Sequence, residues 1–319
     1  MNRELSAAHI TDPELAASYR ECRRLNAMHG RTYFFATRLL QPRQRPAVHA
    51  LYGFARYADD IVDEPDPSTG IDGVRAALTE LGDALQAGLA TGHTDHPLLA
   101  AVVDTASRYS IATPLFTDFL HSMHMDLTVT DYPTRADLQR YVYGSAEVIG
   151  LQVLPVLETV CDQEEAAPAA AALGEAFQLT NFLRDVAEDL QRDRVYLPAD
   201  ELADFGVDRE LLEWCAQYRT VDSRVRRALI EQIAFTRSVY DRARPGIAML
   251  HPRSRPCAAT ALSLYGGILE RIEALDYNVF AGRARVGTPR RLGLAAKAVT
   301  GTAFARVATS PAPTSRRPA

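Results

Sequence analysis

Paired cysteines, an excess of positive charge and a long apolar run are all missing from this 319-residue chain. Cys22, Cys161, Cys215 and Cys257 stand singly, with no CxxC spacing, which excludes a disulfide framework or a cysteine zinc site and fits a reducing cytoplasm. A net charge of −5 leaves no chain-wide basic field to attract phosphate backbones, so no nucleic-acid partner is expected. No uninterrupted stretch of about 18 apolar residues offers a membrane span, and the opening MNRELSAAHITDPEL lacks the apolar core of a signal peptide. The expectation is a soluble or peripheral cytoplasmic protein. Strand-like alternation is scarce, and no repeat of solenoid period recurs. What is plentiful is hydrophobic residues, at 47%, enough for one large core without a second.

Helix punctuation fills the chain. Asp12 as N-cap, Pro13 at the first helical position and Gly30 as a stop delimit one helix. Apolar periodicity predicts others over 43–64, 72–90, 97–110, 114–127, 135–160, 165–192, 208–217, 220–250, 255–281 and 289–308. Short connections make this a single all-α bundle over 1–308, and the Pro/Ser-rich SPAPTSRRPA predicts a disordered tail over 309–319.

Two helices carry misplaced charge. In ALYGFARYADDIVDEPDP, residues 50–67, the acids Asp59, Asp60, Asp63 and Glu64 crowd a helix end that Pro65 must interrupt and where the dipole is already negative. Carboxylates three or four residues apart repel by roughly a few tenths of a kcal/mol per pair. At about 100° per residue, Asp59 and Asp63 share a face with Tyr52 and Arg56, and Asp60 flanks them. A solvated face would explain one such stripe. The second stripe, Gln178, Asn181, Asp185 and Asp189 at spacings of three, four and four, lies in the apolar context of LGEAFQLTNFLRDVAEDLQRDRVYLP, residues 173–198. Hard oxygen ligands without cysteine or clustered histidine point to Mg²⁺, with Mn²⁺ as a substitute, shared with substrate phosphates. The chemistry suggested is departure of a diphosphate, with Arg56, Arg184 and Arg194 as phosphate contacts. For Arg184 and Arg194 the plainer alternative is ion pairing with Glu188 and Asp193. Mutual repulsion predicts that Asp63→Asn or Asp185→Asn leaves the metal-free fold intact or slightly more stable.

These stripes, together with YVYGSAEVIG at 141–150, resemble the motifs of the squalene and phytoene synthase family. The likeness runs from HGRTYFFATRLLQPRQRPAVHALY to LYGGILERIEALDYNVFAGRARV, about residues 25–290, and is strongest toward the bacterial phytoene-forming members. It implies the class I isoprenoid synthase bundle with a central apolar cavity. It also implies head-to-head condensation of two geranylgeranyl diphosphates through a cyclopropylcarbinyl diphosphate, without a reductant. Carried over by position, the metal ligands would be Asp59 and Asp63 on one wall and Asn181, Asp185 and Asp189 on the other. Diphosphate would meet Gly30, Arg31, Thr32, Arg56, Gln178, Arg184, Arg194, Tyr265 and Arg283. Tyr141 matches the family's catalytic phenol, with Arg56 and Tyr52 beside the reacting end, although a core tyrosine with a satisfied hydroxyl reads the same in sequence. The chain departs from the family where Ser145, Ala146 and Glu147 replace the usual Val-Ala-Gly, and a buried Glu147 must be partnered, protonated or turned outward. Asp126 in MHMDL is structural or lines the cavity mouth.

A chain-elongating prenyltransferase would repeat DDxxD on the second helix, and a terpene cyclase would carry Ser or Thr where Asp185 stands. A non-catalytic scaffold would lack acids, and none is lacking. Squalene synthase, with a shorter substrate and NADPH, shares both stripes. Beyond Asp276 no acid occurs, and eight basic residues from Arg283 to Arg317 give that stretch +8, leaving −13 elsewhere. This asymmetry predicts either peripheral contact of residues 283–317 with an inner membrane face or a last bundle helix with a solvated basic face.

Overall fold

The computed structural model describes residues 1–66 and 68–284, and among these every regular element is helical. In chain order the helices are α1 Asn2–Ala7, α2 Pro13–His29, α3 Arg31–Thr37, α4 Arg45–Asp63, α5 Ile71–Thr91, α6 Leu99–Tyr109, α7 Pro114–Met125 and α8 Arg135–Val142. A π-helical turn, Tyr143–Glu147, joins α8 to α9 Val148–Leu157. Then follow α10 Gln163–Leu190, α11 Ala199–Ala203, α12 Arg209–Tyr218, α13 Ser223–Ala243, α14 Gly246–Met249 and α15 Arg255–Ala274. No helix among the described residues is long and apolar enough to cross a membrane.

Local chemistry sets the boundaries. Asp12 caps α2 by accepting from the Leu15 amide at 2.7 Å. Helix α4 ends at Asp63 with Glu64 as its cap, just ahead of Pro65. Three predicted helices are modified by the structure. The span 135–160 is interrupted by the π turn, where the Ser122 hydroxyl donates to the Tyr141 carbonyl at 3.0 Å and takes up a group released from the regular ladder. The span 220–250 breaks at Pro245, which cannot donate to the ladder. The span 255–281 stops at Ala274, and Asp276 and Tyr277 take positive φ. Helix α3, Arg31–Thr37, lies in a stretch for which periodicity predicts no helix. The predicted helix over 289–308 and the tail over 309–319 lie outside the described residues.

Two hydrophobic cores meet beneath the site. Helix α4 packs on α2 and α6 and buries Ala50, Leu51, Phe54 and Ala58; complete burial of a Leu51 or Phe54 side chain contributes about 2 kcal/mol. Helix α10, the longest, packs on α9, α13 and α15 and buries Phe177, Leu179, Phe182 and Leu183. The backbones of the π turn and α9 approach α10 so closely that a Cβ on Gly150 would stand 2.2 Å from the Ala170 carbonyl, and one on Gly174 2.2 Å from that of Ala146 in the π turn. Only glycine permits that contact. After α10 the chain turns back, and Val195 donates to the Thr130 carbonyl at 2.8 Å beside the Asp131–Val195 bridge. This pairing brings Arg194 and Tyr196 over Asp126.

Candidate active site

Helices α4 and α10 form facing walls of a cavity of about 710 Å³, and all sixteen residues carried over from the family motifs, Gly30 among them, line it. Tyr52, Arg56, Asp59 and Asp63 come from α4; Gln178, Asn181, Arg184, Asp185 and Asp189 come from α10. Arg31 and Thr32 enter from α3, Tyr141 from α8, Arg194 from the turn after α10, Tyr265 from α15 and Arg283 from the segment beyond it. Away from the acids the lining is hydrocarbon, including Leu154, Leu157, Leu173, Ile247, Leu250 and Ile268. Asp60 does not line the cavity; it turns to the Arg56 guanidinium, which also reaches Glu64 at 3.0 Å.

The acids divide into two electrical kinds. Asp63 accepts from Arg192 on one oxygen and Arg194 on the other, each at 2.9 Å. Asp185 accepts from Arg184 on both oxygens, at 2.7 and 2.5 Å, and from Arg283 at 2.7 Å. The alternative partners expected from sequence are otherwise engaged: Asp193 pairs with Arg209 at 3.0 Å, and Glu188 meets Arg283 at 3.3 Å. Asp59 and Asp189 have no comparable cation. Burial, reinforced by Asp63 and opposed by Arg56, pushes Asp59 up to about 7. Burial, reinforced by Asp185 and opposed by Arg192 and Arg194, pushes Asp189 up to about 8. The repulsion expected of every acid in the stripes is therefore a property of Asp59 and Asp189; Asp63 and Asp185 are held in ion pairs.

These donors fit a divalent cation that keeps part of its shell for other ligands. Among the described residues no three His, Cys, Asp or Glu groups converge into a complete metal cage. Each wall instead offers two carboxylates, and the Asn181 Oδ1 is buried without a protein partner. Mg²⁺ bound through few carboxylates and shared phosphate oxygens suits such a set.

Two aromatic clusters stand below the acids. Tyr141 donates to Oδ2 of Asp126 at 2.7 Å and Tyr196 to Oδ1 at 2.9 Å, while Arg194 holds the Asp126 carbonyl at 3.1 Å. Phe182 stacks on Tyr196 at 4.3 Å between ring centroids. Burial pushes Asp126 up to about 6 against the opposing pull of Arg194 and the two phenols, and burial beside Asp126 raises Tyr141 well above the usual phenol range. On the other side Tyr33 lies 5.2 Å from Tyr265, which stacks on Phe177 at 4.2 Å. Asp126 thus lines the cavity as well as holding its phenols. Tyr196, Phe182, Tyr33 and Arg192 were not singled out from sequence, although three of them lie inside the quoted α10 motif. Glu147 faces away from the cavity and accepts from Gln139. Burial and the neighbouring Glu175 raise its pKa.

The sequence matches the squalene/phytoene synthase family over residues 27–290. It is 37% identical to the phytoene synthase of Arthrospira platensis over 287 residues, covering 86% of this chain and 90% of that one. It is 36% identical to chloroplastic phytoene synthase 2 of Zea mays, covering 87% and 68%. The fold superposes on a crystal structure of a dehydrosqualene synthase with a TM-score of 0.82 at 25% identity, covering 91% of this chain and 98% of that one.

Proposed function

We propose that this chain, which belongs to the squalene/phytoene synthase family, joins two geranylgeranyl diphosphates head to head, through a cyclopropylcarbinyl diphosphate, to phytoene with release of diphosphate. The observation that carries the reading is one cavity with carboxylates and arginines at one end and hydrocarbon at the other, lined by every residue carried over from the motifs. A C40 product rather than C30 is supported by relatives named phytoene synthase at 36–37% identity, against 25% for the dehydrosqualene synthase.

Asp59 and Asp63 on one wall, and Asn181, Asp185 and Asp189 on the other, would hold Mg²⁺ or Mn²⁺, which neutralises the charge growing on a departing diphosphate. Arg56, Arg184, Arg194 and Arg283, with Arg31, Thr32, Gln178 and Tyr265, orient the diphosphates by charge-assisted hydrogen bonds. Tyr52 and Arg56 stand beside the bond that breaks. The faces of Tyr141, Phe182 and Tyr196 stabilise the allylic cation and, with the apolar lining, exclude the water that would quench it. The Tyr141 oxygen receives the proton the cation sheds while its own passes to Asp126 Oδ2, a role supported by the 2.7 Å hydrogen bond between them. With Asp126 pushed up to about 6, that carboxylate exchanges protons near neutrality.

The test is incubation of purified protein and Mg²⁺ with farnesyl or geranylgeranyl diphosphate, with and without NADPH. Phytoene from the C20 substrate without reductant is expected. Squalene formed only with NADPH, and no C40 product, overturns the reading. A hydrocarbon product does not dissolve in water, which supports peripheral membrane contact through the basic segment starting at Arg283. Salt-sensitive flotation with anionic liposomes, lost on truncation near Gly287, is the expected result.

A further inference from the structure

Each wall carries one carboxylate held by two arginines, and each pair has the same construction. Asp63 is held by an inner Arg194, 13% exposed, and an outer Arg192, 48% exposed. Asp185 is held by an inner Arg184, 16% exposed, and an outer Arg283, 35% exposed. A cation arriving alone must compete with guanidinium groups for the same oxygens. A diphosphate arriving alone meets the uncompensated Asp59 and Asp189.

We propose that Arg192 and Arg283 are exchange residues: they occupy Asp63 and Asp185 in the metal-free protein and pass to diphosphate oxygens when cation and diphosphate enter together, so that each ligand's affinity depends on the other. The exchange conserves charge pairing, since each carboxylate trades a guanidinium for a divalent cation and each guanidinium trades a carboxylate for a phosphate of matching geometry. The outer arginines suit the task because exposed ion pairs are weak and long side chains reorient readily. The inner arginines stay as fixed anchors: Arg194 is tied to the Asp126 carbonyl at 3.1 Å, and Arg184 lies against its own helix neighbour. By linkage, the factor by which diphosphate tightens metal binding equals the factor by which metal tightens diphosphate binding. Arg192 thereby becomes a diphosphate contact that the family motifs alone did not mark.

The inference rests on the acids being metal ligands, and one experiment separates the two claims. Mn²⁺ binding to the full chain is measured by electron paramagnetic resonance, with and without inorganic diphosphate, the Mn²⁺–diphosphate complex in solution being measured separately. Wild-type protein is expected to bind Mn²⁺ about tenfold more tightly with diphosphate present. Arg192→Gln and Arg283→Gln should each tighten binding of Mn²⁺ alone by roughly threefold or more and leave the affinity of the diphosphate-bound form within about twofold, so that the coupling shrinks. The double variant should shrink it further, Arg192→Lys should be intermediate, and Arg237→Gln, which breaks a surface pair with Glu273 at 2.7 Å, should change nothing. Both outer arginines are substantially exposed, and an unchanged circular dichroism spectrum checks the fold. Wild-type coupling with unaltered affinity for Mn²⁺ alone in both single variants overturns the exchange and leaves the metal reading standing. Absence of Mn²⁺ binding to wild-type protein even with diphosphate overturns both.

Discussion

The two acid-bearing walls look alike in sequence and are assembled differently. On α10 the paired carboxylate, Asp185, takes one arginine from the adjacent position and one from Arg283, 98 residues away. On α4 the paired carboxylate, Asp63, takes both arginines from the turn after α10, 129 and 131 residues away. The bare acid precedes the paired one on α4 and follows it on α10. Asp63 therefore ties the walls together across the cavity mouth, whereas Asp185 is largely served from its own helix and the segment beyond α15. An acidic stripe is thus not one electrical object: arginines supplied by the fold decide which carboxylate is clamped in ion pairs and which is left without them, its pKa raised by burial.

The hardest test of this division is to remove each kind of acid. Asp63→Asn and Asp185→Asn should lower turnover by about three orders of magnitude or more, roughly 4 kcal/mol of barrier. They should also lower the melting temperature of the metal-free protein, because Arg194 and Arg184, each mostly buried, lose their carboxylates. Asp59→Asn and Asp189→Asn should lower turnover comparably and raise the metal-free melting temperature instead. A carboxylate with a raised folded pKa binds its proton more tightly folded than unfolded, so stability falls as pH rises from about 4 through about 7 for Asp59 and about 8 for Asp189. The asparagine variants do not titrate, so their advantage should be absent near pH 4 and full by pH 8.5, on the order of 1–2 kcal/mol or a few degrees. Four variants that shift the melting temperature in one direction would break the division. Mg²⁺ with diphosphate should raise the wild-type melting temperature, and less so in all four.

A smaller effect is expected below the acids. Tyr141→Phe keeps the ring and removes the donor to Asp126, so turnover should fall about 100-fold while the melting temperature falls by only a few degrees. An unchanged rate in single-turnover assays would remove the phenol from the chemistry. The smallest effect belongs to Glu147, which accepts from Gln139 outside the cavity: Glu147→Gln should leave turnover unchanged within about twofold and stability within about 0.5 kcal/mol. A changed product or rate would show that this departure from the family reshapes the cavity.

Sequence alone determined the helical class, most helix limits and which side chains share a helix face, because cap residues, proline and 3.6-residue periodicity act over a few neighbours. Asp12, Pro13 and Gly30 bound α2 as read, and the stripes on α4 and α10 each point into the cavity as their spacing requires. Where local signals compete with packing, the reading fell short: the π turn depends on Ser122 reaching the Tyr141 carbonyl from α7, and nothing within 135–160 announces it. Partner choice escaped it as well. Arg184 and Arg194 were offered Glu188 and Asp193 as neighbours, yet one takes Asp185 and the other spans from Asp63 to the Asp126 carbonyl. Only the tertiary structure decided those pairings, and with them the raised pKa values of Asp59, Asp126 and Asp189, because electrostatic energy depends on distance and burial across the cavity, quantities that are set by the packing of helices far apart in the chain.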